Sequence, residues 1–121
     1  MDIYREEILD HFKNPRNFGK SKKGKIKVKE TNASCGDVME MSLKVKKGKV
    51  EDIKFKGEGC AISIAAASML TEMVKGKRVS EVKKITEKDM IDRLGIKISS
   101  GRRKCATLGL VICQKSLKKL I

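Results

Sequence analysis

An α+β fold, with a three-stranded antiparallel sheet flanked by helices, is predicted by a change of hydrophobic period along the chain. Between residues 25 and 57, three segments alternate apolar and polar residues, which is the period of a strand. On either side of them, apolar residues recur every three or four positions, which is the period of a helix. No repeat or low-complexity linker interrupts the 121 residues, so residues 1–121 are expected to share one core as one domain.

The first helix is expected from Asp2 to about Lys13, with Tyr4, Ile8 and Phe12 on one i, i+4 row. It must stop near Asn14, because Pro15 disfavours helical geometry in the residue before it, and "NPRNFG" then forms a turn. "KIKVKE", "VMEMSLKV" and "VEDIKFKG" are the strands, the last two joined by "KKGK" as a glycine-containing hairpin turn. "CAISIAAASMLTEMV" starts the helical half and runs to Gly76. Thr86 with Asp89 three residues on is a capping box for a short helix ending at Gly95. Ser99 or Ser100 is expected to cap a last helix that turns Leu108, Val111, Ile112 and Leu117 inward. Lys115, Lys118 and Lys119 lie near its negative end.

A formal net charge of +14 raises the question of nucleic acid. Against it, the lysines are spread along the whole chain, and aromatic residues able to stack on bases make up only 3%. In "KSKKGKIKVK", Lys25, Lys27 and Lys29 alternate with Ile26 and Val28, as on the solvent face of a strand. No apolar run is long enough to span a bilayer, and "MDIYREEILDHF" lacks the basic start and apolar middle of a secretory signal. The expectation is a soluble, cytoplasmic protein in a reducing compartment, whose four cysteines are thiols or metal ligands and not staples.

Three of those cysteines fall at element ends. Cys35 and Asp37 flank Gly36 at the entrance to the second strand, where extended residues two apart project to one face. Cys60 opens the central helix, whose N-terminal N–H groups and dipole favour a thiolate. Cys105 follows "GRRK" at the start of the last helix, where Arg102, Arg103 and Lys104 act in the same direction. Any one of these alone fits a small buried hydrophobe. Together, a strand end and two helix N-termini can converge at one sheet edge, giving three thiolates and one carboxylate. An aspartate is unusual in a closed structural zinc site, and a hard oxygen among soft sulfurs suits a ligand that leaves. Cys113, mid-helix, is assigned to the core, and His11, the single histidine, to the surface of the first helix.

Along nearly its full length the chain resembles the U-type iron-sulfur cluster assembly scaffolds, the IscU/NifU N-terminal domain group with its SufE/NifU-like fold. The matching residues are Tyr4, "DHFKNPRNFG", "ASCGDVM", "GEGCAISIAAASML" and "KCATL", in that order. The resemblance implies transient assembly of a [2Fe-2S] cluster from iron and desulfurase-delivered sulfur, followed by transfer to apo iron-sulfur proteins. It implies Cys35, Asp37, Cys60 and Cys105 as the cluster or metal ligands, with Asp37 keeping the cluster labile. Two irons bridged by two sulfides need four protein donors, which this set supplies. Cys105, with the most cationic neighbours, is the candidate persulfide acceptor. The first helix and "NPRNFG" are expected to contribute to the desulfurase-docking surface.

Two departures shape those expectations. The IscU branch has a histidine before the third cysteine, where this chain has Lys104, and its "LPPVK" chaperone segment is replaced by "GIKISSGRRK". Neither a histidine-assisted mechanism nor release by a dedicated heat-shock-type chaperone is carried over. "R-x-K-C" at Arg102 to Cys105 and "GCAIS" at 59 to 63 are closer to the SufU branch, whose long insertion before the third cysteine is absent here. Two readings therefore stand side by side. One is a non-enzymatic scaffold; the other is a zinc-dependent sulfurtransferase with Zn2+ at the same four residues. A basic nucleic-acid-binding module, from a different class, predicts salt-sensitive binding that survives loss of the cysteines.

Overall fold

A computed structural model describes residues 3–19, 26–32 and 37–118. Helix α1 (Ile3–Lys13) is followed by strands β1 (Ile26–Asn32), β2 (Asp37–Lys46) and β3 (Lys49–Glu58). The helical half comprises α2 (Ala61–Val74), α3 (Val79–Val82), α4 (Glu87–Leu94), a 3-10 turn at Ser100–Arg102 and α5 (Arg103–Lys118). This is the α+β order that the two hydrophobic periods imply. The short helix α3 was not among the expected elements; four residues are too few to show a period.

The strands lie side by side in the order β1-β2-β3, each pair antiparallel. Lys47 (φ 54°) and Gly48 (φ 75°) form the two-residue β2–β3 turn, and two consecutive positive φ values match the twist of the paired strands. Alternation on β2 sends Asp37, Met39, Met41 and Leu43 to one buried face. On β3 the buried residues are Val50, Ile53 and Phe55, which breaks strict alternation. Lys44 pairs with Asp52 but Val45 with Val50, so Glu51 is an extra residue that flips the pleat.

Helix α5 packs across β1 and β2, α2 across β3, and the two helices pack on each other. Small residues make that approach close: a side chain at Gly109 would stand 3.3 Å from the Ala67 backbone. The inward stripe of α5 carries Leu108, Ile112, Cys113 and Leu117, all buried, which places Cys113 in the core as expected. Val111 departs from expectation. It lies on the flank of that stripe and is 42% exposed. Ser99 and Ser100 do not cap α5 directly, because the 3-10 turn intervenes and Ser99 makes no capping side-chain bond. The Thr86–Asp89 capping box forms in both directions, and α4 ends on Gly95 at φ 73°.

Helix α1 packs along α2. Its buried residues are Ile8 and His11, an i, i+3 pair, while Tyr4 and Phe12 stay largely exposed. His11 thus corrects the expected surface placement. At 3% exposure it has its Nδ1 2.7 Å from Ser68 Oγ and its Nε2 3.5 Å from Glu72 Oε1. Ser68 and Glu72 are one turn apart on α2, so they present a hydroxyl and a carboxylate to the same ring. Ser68 Oγ also accepts the Arg16 backbone N–H at 2.8 Å, and Phe55 N–H donates to Asn17 O at 2.9 Å. The turn after α1 is strapped to α2 and to β3 by these bonds. Gly95 has no side chain because the Tyr4 ring occupies the place where a Cβ would stand, and Arg93 meets Glu7 at 2.6 Å.

Among the described residues, no helix is long and apolar enough to cross a membrane.

Candidate functional site

Asp37 is the first residue of β2 and faces the helix-covered side of the sheet, on the same row as Met39 and Met41. Because β2 begins where the N-termini of α2 and α5 arrive, this row delivers a carboxylate to both. Cys60 is the N-cap residue of α2, in an extended conformation (φ −72°, ψ 167°). Cys105 is the third residue of α5. One carboxylate oxygen of Asp37 and the two sulfurs all lie within 4.8 Å of one another. Asp37 and Cys105 are buried and Cys60 is partly exposed. Three of the four residues singled out in the sequence are therefore brought together. Cys35 and Gly36 lie outside the described residues, as does Lys25.

Hydrogen bonds hold the Asp37 carboxylate. Oδ1 accepts the Cys60 backbone N–H at 3.1 Å, and Oδ2 accepts the Ser63 hydroxyl at 2.5 Å. The carboxylate thus satisfies a donor that the first turn of a helix leaves open, from a different element. Gly59 makes room for this, since a Cβ there would come within 2.7 Å of Oδ1. Ser63 Oγ is also 3.4 Å from Cys60 Sγ. Neither Ser63 nor Gly59 was singled out in the sequence. Ser63 sits three residues after Cys60, and that spacing at a helix start was the available signal.

Burial pushes the Cys60 thiol up, and so does the Asp37 carboxylate. The Ser63 hydroxyl, the Ser63 backbone N–H and the Cys105 side chain outweigh them and hold the thiol below its ordinary value. Burial alone pushes the Cys113 thiol up to about 12, so it stays protonated. Around Cys105 the expected cations are present but exposed, and Arg103 reaches Glu87 at 3.5 Å. Cys105 itself is 0% exposed, so a bulky sulfur donor reaches it only through local opening of the surrounding structure.

The geometry defines an α+β domain in which the start of the central strand and two helix N-termini bring together two thiols and one carboxylate. A family model for the NifU-like N-terminal domain matches residues 3–120, and the chain belongs to that family. It is 45% identical over 93 residues to the iron-sulfur cluster assembly scaffold protein IscU 1 of Archaeoglobus fulgidus, a match covering 77% of this chain and 61% of that relative's length. It is 37% identical over 134 residues to the zinc-dependent sulfurtransferase SufU of Bacillus subtilis, covering 97% of this chain and 90% of that one. Among solved structures, the N-terminal part of a nitrogen-fixing NifU-like protein from Brucella abortus superposes with a TM-score of 0.81. That match covers 98% of this chain and 94% of that one; at 18% identity it speaks to the fold.

Proposed function

We propose that the protein is a scaffold on which a [2Fe-2S] cluster is assembled from iron and desulfurase-delivered sulfur and then passed to apo iron-sulfur proteins. The observation that carries this reading is the convergence of Asp37, Cys60 and Cys105 within 4.8 Å. Sulfurs bound at about 2.3 Å to one tetrahedral ion stand roughly 3.8 Å apart, so this donor set closes on a metal with small shifts. Cys35, two residues before Asp37, is the fourth donor in this reading. The IscU name of the Archaeoglobus relative supports it. Sulfur arrives when a thiolate attacks the terminal sulfur of a desulfurase persulfide. A new S–S bond forms on the scaffold, and the desulfurase thiolate leaves. In this reading Cys105, buried in the resting structure, takes that role once local opening exposes it.

The SufU relative, matched over 97% of this chain, favours a second reading. The same residues hold Zn2+, which when bound keeps its thiolates deprotonated, and the protein serves as a sulfur acceptor for a cysteine desulfurase. Anaerobic reconstitution with iron, cysteine and a desulfurase separates the two. The scaffold reading expects a [2Fe-2S] spectrum that is lost in Cys60→Ser and Cys105→Ser and transferable to an apo-ferredoxin. Desulfurase turnover accelerated only by the zinc-loaded protein, without any cluster, would replace it with the second.

A further inference from the structure

We propose that Ser63 is a positioning residue that sets how readily Asp37 lets go of bound metal. The proposal rests on the reading of Asp37, Cys60 and Cys105 as ligands. Ser63 is 1% exposed and lies in the first turn of α2, so its side chain leans back over the helix start toward Cys60. Its Oγ stands 2.5 Å from Asp37 Oδ2 and 3.4 Å from Cys60 Sγ, between an oxygen donor and a sulfur donor of the same site.

A hydroxyl has one proton to give and two lone pairs with which to accept. At 2.5 Å the proton goes to the carboxylate, because an ionised carboxylate only accepts. With the Cys60 N–H on Oδ1, both oxygens of Asp37 then have protein partners, and a metal must compete with those partners for the carboxylate. When Asp37 turns to the metal, the Ser63 hydroxyl is not stranded: rotation about Cα–Cβ or of the O–H carries the proton to the Cys60 sulfur. A buried hydroxyl left without a partner would oppose that movement. Ser63 therefore gives Asp37 a place to return to and the hydroxyl an alternative acceptor, and both lower the barrier to exchange. Neither role is available to alanine.

Cobalt(II) titration tests this without iron, sulfide or a desulfurase, since thiolate-to-cobalt charge-transfer bands report binding and the d–d bands report the donor set. Ser63→Ala is expected to bind cobalt about tenfold more tightly and to release it to a chelator about tenfold more slowly, because a charge-assisted hydrogen bond no longer competes. Ser63→Thr, which keeps the hydroxyl, should restore wild-type values. In an Asp37→Ala background, Ser63→Ala should change affinity little, as a residue acting through Asp37 must. Equal or weaker cobalt binding by Ser63→Ala, with a melting curve showing the domain folded, would overturn the proposal. So would a full tenfold effect in the Asp37→Ala background. The two readings fail separately: a wild-type protein that shows these cobalt effects but builds no cluster keeps Ser63 in its role and removes the scaffold function.

Discussion

The Asp37 carboxylate accepts the backbone N–H of Cys60 at 3.1 Å, so a side chain within 4.8 Å of both sulfurs also caps the helix that carries one of them. Fold and site are coupled through one side chain. Asp37→Ala leaves the Cys60 N–H and the buried Ser63 hydroxyl without their acceptor. It is expected to cost about 2 kcal/mol of stability in urea denaturation, with the domain still folded in water. Asp37→Asn retains an acceptor oxygen and should recover most of that loss while weakening metal binding as much as the alanine does. Equal stability losses in the two variants would show that the charge, not the cap, matters to the fold.

Gly59→Ala should act on the site from outside it. The added methyl would lie 2.7 Å from Asp37 Oδ1, so the carboxylate is displaced from the Cys60 N–H. Because the methyl crowds the whole carboxylate (Cγ at 3.1 Å as well) and moves it away from the two sulfurs, cobalt or zinc affinity is expected to fall about tenfold, with a smaller loss of thermal stability. Unchanged affinity would mean that the carboxylate keeps its place by another route.

Thiol accessibility orders the cysteines. In a metal-free Cys35→Ser protein, iodoacetamide should modify Cys60 first, because it is partly exposed and its thiol is held below the ordinary value. Cys105 and Cys113 are buried, and their modification waits for local opening, making it slower by on the order of tenfold or more. Peptide mapping against time reads the order. Faster labelling of Cys105 than of Cys60 would show that the structure around Cys105 is open most of the time.

Stability should depend on pH through His11. Burial holds its folded-state value below the ordinary one of about 6.5; Arg16 and Arg93 act in the same direction, while Glu72 and Glu7 oppose them. Above that ordinary value both folded and unfolded chains carry a neutral ring, and the full stability is present. As pH falls below it, the unfolded chain takes up the proton first, so stability declines until the lowered folded value is reached. Asp10, held below the usual carboxylate range mainly by Arg16, loses its contribution only in a more acidic window. Urea midpoints should therefore drop between pH 7.5 and 5.5 in the wild type and stay flatter in His11→Gln. Parallel pH profiles for the two proteins would assign the decline to other groups.

The elements whose side chains carry a period were legible in the sequence. β2, β3, α2 and the Thr86–Asp89 box were placed from alternation, spacing and capping chemistry alone. What was not legible depends on partners far along the chain. His11 reads as polar surface until α2 supplies Ser68 and Glu72. Glu51 interrupts an otherwise regular alternation because its strand partner runs one residue short there. At the site, Asp37, Cys60 and Cys105 announce themselves by chemistry and by position at element ends. Ser63 and Gly59 matter only through distances to Asp37, which a linear string does not contain.

The three converging side chains come from a strand start and two helix starts, with Asp37 and Cys60 alone separated by 23 positions in sequence. In polymer terms, anything held by all three is a removable crosslink that closes two long loops of the chain and cuts the freedom of its unfolded state. Binding at those three side chains should therefore tighten the molecule, and release should loosen it. The occupied protein should resist heat and proteases better than the empty one, so the stability of the fold itself would report whether the site is filled.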